Sequence, residues 1–266
     1  VKNTYIKTKK NNEKGYHPIC EIDDAYDALM DFGLLALNTG DAYTDDEPLE
    51  RAFLLITGTA QMTWGDNDVT VSRKNCFDEN PYVLHVPQSI SVTIAGGEGG
   101  CEFSVHRTKN DTDFRPRLFH PSECTSENRG EGTMNETSTR IVRTVFDKTN
   151  APYSNLVLGE VVGYPGKWSS YPPHFHRQPE IYHYRTLPEN GYGYCDLGNE
   201  VLKVQNSDTV VISKGQIHPH VTAPGYALWY LWVIRHLDDE PYITPTFVEE
   251  HAWVMDKKAS FWPYST

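Results

Sequence analysis

An all-β fold built from two halves that echo each other is what the sequence predicts, on two observations. Tyr (16), Phe (10) and Trp (6) are plentiful beside Val, Thr and Ile, while 19 Gly and 17 Pro are scattered along the chain rather than gathered in one segment. That mixture favours many short strands joined by tight turns. The second observation is repetition. The stretch LLITGTAQMTWGDNDVTV (54–71) runs as strand, Gly58, strand, with a Gly-Asp-Asn turn after Trp64; LPENGYGYCDLGNEVLKV (187–204) carries Gly191, a strand and a turn at Gly198-Asn199. Both read as β-hairpins whose turn residues accept positive φ. At 266 residues the chain can bury a sizeable core, since a chain of roughly 300 residues hides about three quarters of its unfolded surface.

Taken in order, the lysine-rich run KTKKNNEK (7–14) reads as a solvated, frayed terminus, and DDAYDALMDFGLLAL (23–37) as a short amphipathic helix. After the first hairpin, NCFDENPYVLHVPQSISVTIAGG (75–97) is a polar turn and an apolar strand leading to a second bend, and NSDTVVISKGQIHPHVTAPG (206–225) repeats that plan. The chain therefore reads as a duplicated β-barrel. Residues 107–138 are polar and rich in turn formers, as suits a linker crossing the surface. The expected division is an N-terminal barrel over 1–106, the linker over 107–138, and a C-terminal barrel over 139–266.

A formal charge of −12 and a pI near 5.3 argue against a nucleic-acid partner, because phosphate binding needs a basic footprint. No stretch approaches the ~20 apolar residues of a membrane span, and the polar N-terminus lacks the apolar segment of a secretory signal. The expectation is a cytoplasmic protein without a membrane partner. Cys20, Cys76, Cys101, Cys124 and Cys195 are odd in number and widely spaced, with no C-x-x-C pair, which fits reduced structural thiols better than a disulfide framework.

The most informative stretch is SYPPHFHRQPEIYHYR (170–185). Alternation along a strand puts His174 and His176 on one face, with Glu180 a short turn later. On the far hairpin His218 follows a bend containing Gly215. An H-x-H pair also occurs in ordinary strands, so the pair alone decides nothing. Together, Gly166, His174, His176, Glu180 and Gly191, then Asp208, Gly215 and His218, resemble the two motifs of the cupin superfamily, with Ser207 and Ser213 in place of its usual glycine and proline. The resemblance implies a duplicated cupin, or bicupin, whose C-terminal barrel binds one divalent metal ion through His174, His176, Glu180 and His218. Three imidazoles and a carboxylate suit zinc first, with manganese or iron as alternatives. The first half has no H-x-H: Glu50-Arg51 stands where a ligand strand would begin, Ser89-Ile90 replaces the histidine, and His85 alone reads as packing.

PGKWSSYPPHFH, EIYHYR, HPHVTAPGYALWYLWV and HAWV, with FDENPYVLHVP in the first half, resemble the 5-deoxy-glucuronate isomerase family of inositol catabolism, related to the 4-deoxy-5-ketouronate isomerases. The likeness spans nearly the whole chain. Phe175, Arg177 and the short RQP connection depart from the family's usual basic residue, acidic residue and longer loop, while the ligand set is kept. The resemblance implies an aldose–ketose isomerase that acts on a sugar acid, most specifically 5-deoxy-D-glucuronate to 2-deoxy-5-keto-D-gluconate, and assembles as a homo-oligomer.

His220 shares the face of His218 and is the first candidate for proton transfer, since histidine titrates nearest neutral pH; a merely packed imidazole is the other reading. A uronate needs a cation for its carboxylate. Arg143 is the first choice, with Arg140, Lys167 and Arg185 as the other basic residues near the ligands. Tyr182 and Tyr184 share the face of Glu180, and Trp168 is the retained candidate for the sugar wall, although aromatics on barrel strands also serve as core. Two further classes stay open at this point: a metal-dependent cupin dioxygenase, and a non-catalytic sugar-acid-binding cupin.

Overall fold

The computed structural model describes residues 5–7, 14–212 and 215–262. The basic stretch at 8–13 and Ser213 lie outside the described residues. Every pairing between described strands is antiparallel. Residues 15–119 form one eight-stranded sheet centred on the long strands Glu50–Trp64 and Val92–Thr108. The C-terminal half forms a seven-stranded sheet around Leu156–Gly163, Glu180–Leu187 and Ala227–Arg235, a four-stranded sheet that includes His220–Thr222, and a two-stranded ribbon pairing His174–Phe175 with Thr246–Phe247.

Period-two alternation explains how these sheets pack. On Glu50–Trp64, Phe53, Leu55 and Met62 face the interior of the N-terminal half, while Ala52, Leu54 and Ile56 face a core shared with the C-terminal half. On Ala227–Arg235, Trp229, Leu231 and Val233 enter that shared core, whereas Leu228 and Tyr230 face the interior of their own half. Strands buried on both faces read as unbroken apolar runs, as LLI and ALWYLWVI do.

The helix expected over 23–37 is a correction. Asp31–Leu37 is a strand paired with Gly15–Cys20 and with Val92–Thr108, and Asp27 and Leu29 adopt positive φ (56° and 58°), which an α-helix cannot contain. Phe32 and Leu34 face the shared core while Leu35 and Leu37 face the interior; burial on both sides had given the run its helix-like density of apolar residues. The segment 107–138 contributes Arg117–Phe119 to the first sheet and Thr125–Arg129 to the second. All five cysteines are unpaired and buried. Among the described residues no helix is long and apolar enough to cross a membrane.

Polar bonds tie the halves together across the shared core. Arg73 donates to both oxygens of Glu160 at 2.8 Å, and Arg185 pairs with Glu102.

Candidate metal centre

Glu180 opens the central strand of the C-terminal sheet, held between Ile212 and Ile234 in register. His176 and His218 sit in the loops beside it, and a backbone bond from Gly215 N to His176 O (2.9 Å) joins those two loops. Proline on both sides of the histidine pair prevents regular strand continuation, and Gly215 (φ 77°) supplies the bend before His218. The three ligand atoms of His176, Glu180 and His218 lie within 4.8 Å of one another, all buried. His176 Nε2 is 3.1 Å and His218 Nε2 3.3 Å from Glu180 Oε2. His174 stands next to this triad, its ring edge-on to that of His218 with centroids 4.8 Å apart.

The hydrogen bonds fix the tautomers. Nδ1 of His176 faces Gln178 O (2.9 Å), Nδ1 of His218 faces Gln216 O (2.9 Å), and Nδ1 of His174 faces Pro172 O (3.2 Å). A carbonyl only accepts, so each Nδ1 carries a proton and each Nε2 is the atom turned away from the backbone; in His174 and His218, whose pKa values are lowered, that Nε2 is a lone pair. His218 Nε2 is buried with no hydrogen-bond partner. Burial raises the Glu180 pKa against the bond from His176, lowers His174 to about 4, and holds His218 well below its ordinary value, with His174 and His176 adding to that effect. Glu180 thus meets the hydrogen-bonded Nε2 of His176 and, at 3.3 Å, the unpartnered Nε2 of His218, whose lone pair repels the carboxylate until a cation enters. The donor set fits a divalent metal: borderline nitrogen ligands with one oxygen ligand.

Above this cluster lies a cavity of about 630 Å³, within the usual range for a small-molecule site. Glu180 and Tyr182 line it from one strand, Tyr230, Trp232 and Ile234 from the next, and Arg140, Val142 and Thr144 from a third. The chain after residue 241 folds back to line the cavity with Tyr242 and Phe247, held by Val248 N to Pro173 O (2.9 Å).

Several expected site residues fall elsewhere. Arg143 is a correction: Arg140, Val142 and Thr144 take the cavity face, so strand parity turns Arg143 to the opposite face. There its guanidinium is committed to Glu160 (3.1 Å), Cys76 O (2.7 Å) and Phe77 O (2.8 Å). His220 is also corrected. It lies behind the cavity wall, its ring stacked on Tyr230 and its Nε2 receiving the Tyr184 hydroxyl at 2.6 Å; burial pushes its pKa down to about 3, with a backbone bond opposing. Tyr184, its partner, is likewise withdrawn from the cavity lining, and Trp168 backs Tyr171 at 5.6 Å instead of meeting the cavity itself. Tyr182 does line the cavity. Arg140, ranked behind Arg143 in the sequence, shares strand parity with Val142, and the fold turns that face to the cavity. The approach of Tyr242 and Phe247 carried no local signal.

The match to a family model extends over residues 5–254 and is to the KduI/IolB family. The chain belongs to that family. Within it, the chain is 31% identical over 195 residues to the 5-deoxy-glucuronate isomerase of Geobacillus thermodenitrificans, covering 67% of each protein. To that of Lacticaseibacillus casei it is 27% identical over 237 residues, covering 80% of this chain and 82% of the other. An IolB-like protein of Salmonella typhimurium LT2 shares the fold with a TM-score of 0.84 at 24% identity, covering 95% of this chain and 99% of that one. The Lactobacillus farciminis oxalate decarboxylase shares it at 0.68 and 13%, covering 94% and 90%. This KduI/IolB member is thus a mostly β protein with cupin-like neighbours, and an isomerase of the aldose–ketose class of intramolecular oxidoreductases.

Proposed function

We propose that this family member is a metal-dependent isomerase of a deoxy-uronate, converting 5-deoxy-D-glucuronate to 2-deoxy-5-keto-D-gluconate in myo-inositol catabolism in the cytoplasm. The observation that carries the metal dependence is the convergence of His176 Nε2 and the unpartnered His218 Nε2 on Glu180 at 3.1 and 3.3 Å. His176, Glu180 and His218, with His174 beside them, would hold one divalent ion, zinc by preference. Such an ion supplies Lewis-acid polarisation of a carbonyl when bound. The substrate identity is supported by the names of the relatives.

The chain's own contribution is enclosure and proton placement. Tyr242 and Phe247 line the cavity beside the cluster and would narrow the access of bulk water to the reacting carbons. Burial, with Glu180 and Tyr230 nearby, raises the Tyr182 phenol well above its ordinary pKa; its Oη therefore keeps its proton and can donate it to a substrate oxygen. The two halves are read as duplicated cupin barrels with the metal in the second. The assembly proposed with this reading is a homo-oligomer.

Anaerobic incubation with 5-deoxy-D-glucuronate in D₂O, followed by proton NMR, tests the reaction. The expected result is the ketose with deuterium at the former aldehyde carbon, lost on chelation and restored by added metal. Consumption of O₂ without anaerobic turnover would instead point to a dioxygenase.

A further inference from the structure

Six arginines are buried in the described chain: Arg51, Arg73, Arg107, Arg140, Arg143 and Arg235. Five of them meet a carboxylate. Arg51 and Arg107 share Asp45, Arg73 and Arg143 share Glu160, and Arg235 reaches Asp238. Arg140 is the exception: among the described residues no Asp or Glu oxygen lies within 4.0 Å of it. It is 7% exposed and lines the cavity that holds Glu180 and the histidines. Its Nη1 donates to Ser138 O (2.7 Å) and Ser138 Oγ (3.1 Å), and its Nε is buried with no partner at all.

A guanidinium stays charged in a protein, and an uncompensated buried charge is costly. Its surroundings sharpen the problem. Burial lowers the Arg140 pKa; Tyr230 and Glu127 act against that, while Arg129 adds like charge. Arg129 is the register partner of Arg140 across the adjacent strand, lines the same cavity, and has Glu127 as its own counter-ion. The cavity therefore has a cationic wall in a chain of net charge −12, and the missing counter-ion must arrive with the ligand.

We propose that Arg140 is the anion anchor of this cavity, receiving the carboxylate of the bound sugar acid on its free Nε and Nη donors. The sugar-acid part of this statement rests on the proposed function; the anionic class of the ligand rests on the unpaired guanidinium alone. Arg140 is a binding residue, remote from the reacting carbons, so its loss weakens ground state and transition state together and appears in KM more than in kcat.

The test uses the metal-loaded full chain and two non-isomerising probes, D-gluconate and its neutral counterpart D-glucitol, by calorimetric titration. Wild type binds gluconate more tightly than glucitol. In Arg140→Gln the affinity for gluconate falls by about 10- to 100-fold, the range expected for a charge-assisted hydrogen bond; glucitol affinity and metal content stay unchanged. Arg140→Lys, which keeps the charge but not the fork, falls between the two, and thermal melts establish that each variant is folded. Gluconate binding that is absent in wild type, no tighter than glucitol, or equal in Arg140→Gln overturns the proposal; the wild-type comparison decides even where a variant does not fold. Gluconate binding through Arg140 without turnover of 5-deoxy-D-glucuronate would keep the anchor and sink the reaction. Turnover with an unchanged KM in Arg140→Gln would do the reverse.

Discussion

Two glutamates open two long strands, one in each half, and they have opposite surroundings. Glu50 begins Glu50–Trp64 and is completely buried, yet donors surround it: His85 Nε2 at 2.8 Å, Ser154 Oγ at 2.5 Å, Asn110 Nδ2 at 2.6 Å and Asn155 N at 2.9 Å. Burial would raise its pKa, but the bond and charge of His85 with the bonds from Ser154 and Asn155 outweigh it and bring it below the ordinary value. Glu180 begins Glu180–Leu187 and faces the unpartnered Nε2 of His218, and burial raises its pKa against the bonds from His176 and Tyr182. A carboxylate ringed by donors is a structural anchor; one beside an unpaired imidazole nitrogen has the donor chemistry that a cation would satisfy. The interiors follow suit. Leu35, Phe53, Leu55, Leu84 and Phe103 fill the N-terminal half, where the C-terminal half carries Tyr182, Tyr184 and Tyr230. One half is packed as a scaffold and the other is left with polar groups around a cavity.

The comparison breaks most sharply if the histidines are exchanged in role. His176→Ala is expected to lose bound metal and to cut turnover by about 10³-fold or more, since a metal's charge stabilisation is worth several kcal/mol. His85→Ala should keep metal content at the wild-type level while lowering the thermal midpoint. Metal analysis beside activity checks both, and metal loss in the His85 variant would show that the halves are not divided as described.

Next in size is the glutamate pair, with opposite signs. Glu50→Ala strands four donors and should cost about 3–5 kcal/mol of stability, as breaking a buried pair does. Glu180→Gln in metal-free protein removes a repulsion and should hold or raise the melting temperature, while abolishing metal binding. Denaturant melts of the metal-stripped proteins decide; equal destabilisation by the two changes would contradict the donor-versus-acceptor account.

The N-terminal half should also carry a pH signature of its own. His106 is fully buried against Phe32, and burial takes its pKa down to about 3. The unfolded chain, with an ordinary histidine pKa near 6.5, binds this proton first, so stability rises with pH between the two values. It is lost as pH falls from about 6.5 towards 3, at up to ~1.4 kcal/mol per pH unit. Glu50, with its lowered pKa, acts in the same direction: its contribution is present above the unfolded carboxylate value and fades as pH falls through the folded one. His106→Asn should flatten the upper part of this dependence in melts from pH 7 to 4. The smallest effect is expected at Arg177, whose guanidinium pairs with Glu240 in solvent, 64% exposed. Arg177→Ala should cost less than ~1 kcal/mol and leave metal binding intact.

The sequence by itself determined the strand-rich architecture, because alternation and turn chemistry act over a few residues. It also made the grouping of His176, Glu180 and His218 legible, because H-x-H, Glu180 and the Gly215–His218 bend lie in short local frames, whereas His174 stands beside that group. It misjudged 23–37, where burial on both faces imitates a helical density of apolar residues. Between Arg140 and Arg143, the choice depended on which face of Arg140–Phe146 meets the cavity, and only the packing of Val142 inward and Val145 into the shared core decided it. Spacing alone gives His220 the face of His218, yet His218 lies in the loop before the strand His220–Thr222, and Tyr182 and Tyr230 come between His220 and the cavity from strands far away in sequence. The arrival of Tyr242 and Phe247 in the cavity lining was likewise a tertiary event. Local periodicity specifies which side chains point the same way; what stands opposite them, whether a donor, an acceptor or open space, is set by segments that meet only when the chain folds.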